Sequence, residues 1–193
     1  IFVDKINIFG NNVTEETVIR NKLEIDEGDP YNDLLLTKSI NNIRSTNFFR
    51  DVKNVILEND DKNKIINIYV EEKPTGEIAA GAGYGTDGST IFFAISENNY
   101  LGRGIDLDTN LELSPQRIKG VFRTTNPNFR NTDNSLSFSL EADEVDQLTN
   151  FGYKSNKTGF SISTKFEYFD DLFFGLGSSS FYEKIETDSS ASA

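Results

Sequence analysis

Gly83-Tyr84-Gly85-Thr86-Asp87-Gly88 has the spacing of a dinucleotide-binding loop, and Asp106 stands near the place of a ribose-binding carboxylate. That chemistry needs a helix N-terminus directly after the glycines to receive the pyrophosphate. Ser89-Thr90-Ile91-Phe92-Phe93 follows instead, a strand sequence, so the glycines read as a strand and its hairpin. Asp106, Asp108 and Asn110 open like a calcium loop. Leu111 occupies the position of the obligatory turn glycine, however, and Arg117 that of the chelating glutamate. These residues read as the polar face of a strand. Asn12-Val13-Thr14 and Asn156-Lys157-Thr158 are formal glycosylation sequons, and Asp60-Asp61 and Asp170-Asp171 are simplest as turns. The chain has no His and no Cys. Imidazole bases, His or thiolate metal sites and disulfides are therefore closed to it. The expectation is a protein without catalytic residues, metal ligands or cofactor, not an enzyme.

The formal charge of −12 divides into −4 up to Thr75 and −8 from Gly76 onward. No basic footprint for nucleic acid is present, and the acidity reads as a solvated surface. No apolar run reaches the ~18 residues of a membrane helix, a test that barrel strands escape. Ile1 begins inside a strand-like pattern, as expected of an internal fragment.

Pro74 divides two regimes. Before it, helix and strand periods mix. Phe2 to Phe9 alternates and ends at Gly10-Asn11-Asn12, a turn. Thr14 is expected to cap a helix with Glu15 and Glu16 in its first turn and Val13 stapled onto Val18. Asn32 or Asp33 is expected to cap a second helix with Leu36, Ile40 and Ile43 on its buried face. Strands near Val52–Leu57 and Ile65–Val70, joined through Asn59-Asp60-Asp61-Lys62-Asn63, complete a β-α-α-β-β unit over residues 1–73. Lys73-Pro74-Thr75-Gly76 is expected to be a hinge, because proline suits the exit of a strand.

From residue 74 to 193 strand alternation dominates, over about seven strands. The first, Glu77 to Thr86, carries Gly81, Gly83 and Gly85 and is expected to be weak, since glycine has no side chain to pack. Asp87-Gly88 signals a two-residue hairpin into Thr90–Ser96. Later strands are expected at Ile105–Leu113, Ile118–Thr125, Ser135–Asp143, Phe160–Phe166 and Leu172–Ile185. In the fifth, Leu136, Phe138 and Leu140 oppose Ser137 and Ser139. A soluble sandwich would turn such apolar faces inward; a membrane barrel would turn them to lipid. Alternate turns carry aromatics, at Tyr100, Phe129, Tyr168 and Phe169, as a membrane-interface girdle would. The intervening loops, Asp87-Gly88, Ser114-Pro115-Gln116 and Glu144 to Asn150, are more polar.

Val70-Glu71-Glu72-Lys73-Pro74-Thr75-Gly76, Gly81-Ala82-Gly83-Tyr84-Gly85-Thr86, Asn99-Tyr100-Leu101-Gly102-Arg103-Gly104 and Thr125-Asn126-Pro127-Asn128-Phe129, in that order and spacing, resemble the BamA family of bacterial outer-membrane protein assembly factors. The β-α-α-β-β unit looks like the last POTRA domain of that family, and the resemblance spans essentially the whole chain. It implies a POTRA domain in the periplasm and the opening strands of a sixteen-stranded barrel in the outer membrane of a Gram-negative cell. In the family the first strand pairs weakly with the last, unfolded outer-membrane clients are thought to add at that seam, and accessory lipoproteins dock on the POTRA domains. The family's later loop motif and closing strand are absent from this sequence.

The resemblance thus implies that the backbone edge of Glu77, Ile78, Ala79, Ala80, Gly81, Ala82, Gly83, Tyr84, Gly85 and Thr86 receives client strands, with no nucleic-acid partner. A POTRA-barrel secretion pore of the two-partner type, a barrel enzyme such as a lipase, and a soluble β-sandwich binding module are the other readings.

Overall fold

The computed structural model describes residues 1–59, 63–85, 88–169 and 172–188. Thr86, Asp87, Asp60-Asp61 and Asp170-Asp171 lie outside them.

The chain forms two compact units. The first takes in Ile1–Thr75 and Asn98–Gly104. Its elements are β1 (Val3–Phe9), α1 (Glu16–Arg20), α2 (Asp33–Ser45), β2 (Phe49–Glu58) and β3 (Lys64–Glu72). The sheet order is β1-β3-β2, with β1 parallel and β2 antiparallel to β3. The Asn32 side chain accepts the Leu34 N–H at 2.9 Å and caps α2. Leu36, Ile40 and Ile43, spaced along one helix face, bury against Ile6, Ile66 and Ile68 of the sheet.

The start of α1 departs from expectation. Glu15, not Thr14, holds the cap position, and no side chain caps the helix. Val13 is exposed and staples nothing. The cause is the Glu72 carboxylate, which accepts the N–H groups of Asn12 at 2.9 Å, Val13 at 3.0 Å and Thr14 at 2.7 Å. These bonds fix residues 12–14 as a bend ahead of α1, and the Thr14 hydroxyl also bonds the Glu72 carboxylate. Buried Asn99 donates from Nδ2 to Thr14 Oγ1 at 2.9 Å, and its Oδ1 accepts the Gly104 N–H at 2.7 Å. The Glu15 N–H donates to the Gly102 carbonyl at 2.8 Å. A Cβ at Gly102 would lie 1.9 Å from the Val13 carbonyl oxygen, and φ there is +72°. Only glycine fits both the approach and the conformation.

The second unit is one seven-stranded antiparallel sheet whose strands neighbour one another in chain order. They are β4 (Gly76–Gly85), β5 (Gly88–Glu97), β6 (Asp106–Ser114), β7 (Arg117–Asn126), β8 (Ser135–Gln147), β9 (Tyr153–Phe169) and β10 (Leu172–Thr187). The polar loop expected at Glu144 to Asn150 is instead the end of β8 followed by the short helix α3 (Leu148–Phe151). Backbone pairing continues there, Glu144 opposite Asn156 and Asp146 opposite Lys154, so side-chain polarity did not end the strand. At the first hairpin Gly85 pairs with Gly88. A turn centred on Asp87-Gly88 would pair Thr86 with Ser89, so the observed register lies two residues from that one.

Two outcomes test this description. A protein of residues 1–73 is expected to unfold cooperatively, and Ile40→Ala to destabilise it by about 2–5 kcal/mol in urea titration. Burial works to raise the Glu72 pKa from its ordinary 4.5, but the Thr14 N–H, the Thr14 hydroxyl and the N–H groups of Val13 and Asn12 outweigh it and hold the carboxyl below that value. A depressed carboxyl stabilises the folded state above its unfolded pKa and loses that effect as pH falls through the folded one. The stability gap between wild type and Glu72→Gln is therefore expected at neutral pH and to close below about pH 4.5, read by thermal melts across pH.

Candidate functional site

β4 is a terminal strand of its sheet. It pairs with β5 from Gly76 opposite Glu97 to Gly85 opposite Gly88. Among the described residues nothing pairs with its other edge. In an antiparallel strand with one neighbour, alternate N–H and C=O groups point away from that neighbour and form a row of donors and acceptors. Little side-chain bulk shields the row, because Ala79, Ala80, Gly81, Ala82, Gly83 and Gly85 supply six of the ten residues. Ile78 and Tyr84, the large ones, are 70% and 88% exposed. What β4 offers a partner is backbone.

The pairing sorts side chains onto two faces. One is polar. Glu77, Ala79, Gly81, Gly83 and Gly85 of β4 lie on it, beside Ser96, whose hydroxyl donates to Asp108 at 2.8 Å. Further across, Arg117 clasps Asp143 through two bonds of 2.9 and 2.6 Å. Lys119 meets Glu141 at 3.4 Å, and Ser139 bonds Ser161 at 2.7 Å. The other face is apolar and carries Ile78, Ala80, Ala82 and Tyr84. On β8, Leu136, Phe138 and Leu140 stand opposite Thr164, Ile162 and Phe160, while Ser137 and Ser139 stand opposite Ser163 and Ser161. Ile91, Phe93, Leu140, Phe160 and Ile162 remain exposed on the apolar face. A sandwich would cover this face with a second sheet; among the described residues the second unit holds one sheet. A contiguous exposed apolar surface of this kind marks contact with lipid or a partner.

The apolar face is bounded at both ends. At one end Tyr168 meets Phe169 at 4.6 Å and Phe174 at 5.5 Å, ring centre to ring centre, and Phe129 lies in the connection between β7 and β8. Tyr100 falls within Asn98–Gly104, in the first unit. At the other end Lys154 pairs with Glu144 at 2.7 Å and Asp146 at 3.5 Å. Between these ends, from Thr158 to Tyr168, β9 advances roughly 33 Å at about 3.3 Å per residue. Inclined by about 40°, that span crosses about 25 Å, the height of the apolar band of outer-membrane barrels.

Of the expected hinge, the Lys73 N–H donates to the Phe48 carbonyl at 3.1 Å. Pro74 and Thr75 belong to no element, and Gly76 opens β4. Three residues escaped the sequence reading. Glu72 and Asn99 act on loops distant in the chain, a role without a local signal. Phe92, opposite Gly81, lays its ring over that glycine: a Cβ there would lie 2.3 Å from Phe92 Cε1. The signal for it was present, a large aromatic at strand spacing beside a run of alternating glycines.

A mixed β-α-α-β-β unit followed by antiparallel strands with one polar and one apolar face is the architecture of a POTRA–barrel protein. Residues 1–73 match the POTRA family, described as surface antigen variable number repeat. The outer membrane protein assembly factor BamA of Neorickettsia risticii is 31% identical over 193 residues, 95% of this chain and 25% of its own length. That of Buchnera aphidicola is 29% identical, over 91% of this chain and 30% of its own length. The crystal structure of BamA from Haemophilus ducreyi lacking POTRA domains 1–3 superposes with a TM-score of 0.82 at 24% identity, covering 97% of this chain and 36% of that one. CdiB from Escherichia coli gives 0.64 at 11% identity, covering 95% and 38%. The chain is thus similar to BamA proteins over nearly its whole length, and it spans between a quarter and a third of the length of these two curated relatives.

The face assignment has a direct test. In lipid-refolding titrations Phe138→Arg is expected to cost about 2–4 kcal/mol if it lies near the midplane, and Ser137→Arg much less. Equal costs, or the reverse order, would contradict the assignment of β8.

Proposed function

We propose that this chain serves outer-membrane protein assembly by offering the free backbone edge of β4 to incoming β-strands. The observation that carries the reading is the composition of β4, a strand of glycines and alanines with almost no side-chain bulk. Glycine-poor strands hold their neighbours through cross-strand side-chain pairs. β4 lacks most of these, so any partner on its outer edge is held chiefly by main-chain bonds and can be exchanged. Strand addition at a sheet edge works through those bonds, with sequence tolerance as the consequence. The work is an exchange of hydrogen bonds, without catalysis, metal or cofactor.

In this reading the apolar face of β4–β10 meets outer-membrane lipid, with Phe129, Tyr168 and Phe169 at one interface and Tyr100 close to it. The POTRA unit lies in the periplasm, where accessory lipoproteins dock, and Lys73-Pro74-Thr75-Gly76 articulates it. The clients are unfolded outer-membrane proteins. The names of the BamA relatives support this reading, as does the polar face that a barrel turns to its lumen.

The test uses the full-length protein. Ala82→Val keeps the backbone N–H and is expected to be tolerated, whereas Ala82→Pro deletes it and is expected to block client assembly while β5–β10 stay folded. Single cysteines at Ala80 to Gly85, in a chain that has none of its own, are expected to crosslink to a stalled client strand, and cysteines at Ser137 or Ser163 are not. Crosslinks spread equally over all these sites, or confined to the POTRA unit, would contradict the reading and favour a passive secretion pore.

A further inference from the structure

The β4–β5 hairpin carries two conflicting instructions about its register. The observed pairing sets Ala82 opposite Ile91 and Gly81 opposite Phe92. The Asp-Gly dipeptide at 87–88 favours a two-residue turn of its own, which would set Ala82 opposite Phe93. Gly88 already has φ +88°, a turn conformation, although it is paired opposite Gly85. Because the two registers differ by two residues, every side chain keeps its face, and the polar and apolar patterns described above tolerate both.

Phe92 favours registers that set a glycine opposite its ring. Its ring occupies the space a side chain at Gly81 would need, Cε1 lying 2.3 Å and Cζ 2.6 Å from the position of a Cβ. The residue opposite Phe92 must therefore be glycine, or the ring must move. Two residues along β4, on the same face, is Gly83, where a Cβ would meet no heavy atom within 4 Å. In the shifted register Gly83 falls opposite Phe92, and Gly81 falls opposite Ala94, which crowds nothing. The alternating glycines thus give the one aromatic ring two equivalent seats. The same kind of pair elsewhere in the sheet has a single seat. Phe181 lies over Gly159, with a Cβ there 2.2 Å from Cδ1, but the same-face neighbours of Gly159 on β9 are Lys157 and Ser161. A shift of two would drive the ring into a side chain. Lys157 also places its Nζ 4.4 Å from the centre of the Phe181 ring.

We infer that β4 slides along β5 between two registers, two residues apart, with Phe92 seated on Gly81 in one and on Gly83 in the other. The step moves β4 by about 7 Å, two residues at about 3.4 Å each. Resting on the strand-addition reading above, the slide lets the free edge meet an incoming strand in either of two alignments without turning a side chain to the wrong face.

The experiment needs no client, so its outcome is separate from that reading. Paired cysteines are introduced into the full-length protein in lipid. Directly opposed positions bring Cβ atoms within disulfide reach, whereas positions displaced by two do not. Ala82→Cys with Ile91→Cys reports the observed register, and Ala82→Cys with Phe93→Cys the shifted one. Ala82→Cys with Thr90→Cys, on opposite faces, is the control. Both reporting pairs are expected to form disulfides well above the control. Adding Gly83→Val is expected to suppress the Phe93 pair by about tenfold or more and spare the Ile91 pair; Gly81→Val is expected to do the reverse, since each fills one seat of the ring. A Phe93 pair no better than the control overturns the inference. So do yields that neither valine changes, because β4 would then be fraying instead of stepping between registers.

Discussion

A strand with a neighbour on one side only leaves alternate backbone N–H and C=O groups to find partners elsewhere, and in hydrocarbon each unsatisfied group costs several kcal/mol. β4 sits under that constraint at the end of its sheet. Its sequence adds a second one, the near absence of side chains that could strengthen a pairing. Whatever strand pairs with that edge is held chiefly by main-chain bonds. The remaining strands make this arrangement durable. Their polar face is cross-linked by Arg117–Asp143, Lys119–Glu141 and Ser139–Ser161. Their apolar face presents the outward-turned band that lipid requires.

The first unit solves a different problem with a different device. Its helices bury Leu36, Ile40 and Ile43 against the sheet, as any small α/β unit must. Its particular feature is the relay from Glu72 to residues 12–14 and on to Asn99 and Gly102. A carboxylate that accepts three backbone N–H groups fixes a loop more firmly than a single neutral bond would. That loop in turn presents Thr14 Oγ1 and the Glu15 N–H to Asn98–Gly104. The segment's own backbone is costly: Leu101, a bulky residue, has φ +56°, in the left-handed region that such residues avoid. The contacts of Asn99 and Gly102 offset that strain.

Much of this was legible in the sequence because it depends on period. Alternation gave the strands of the sheet and the split of β8 into Leu136, Phe138 and Leu140 against Ser137 and Ser139. Helical spacing gave the face of α2, and Asn32 gave its cap. What depends on contacts distant in sequence was not legible. Thr14 looks like a cap residue, and only the Glu72 carboxylate, brought from the end of β3, explains why it is not one. The polar run from Glu144 looked like a loop because it leaves the apolar band, yet a strand continues wherever its backbone still has a partner. The Asp87-Gly88 dipeptide alone pointed to a turn two residues away from the observed pairing of Gly85 with Gly88. For β4, the run of alternating glycines was legible directly in the sequence.

The central claim is that the working part of this protein is the outer backbone edge of β4. Amide hydrogen exchange resolved along Gly76–Gly85 tests it most directly, measured with and without a synthetic peptide corresponding to the terminal strand of an outer-membrane client. Without the peptide, the alternate amides bonded to β5 are predicted to be protected and those on the outer edge to exchange faster. With it, the outer set alone is predicted to gain protection. If the peptide protects neither set, or protects instead the amides of β2 in the POTRA unit, the claim is contradicted.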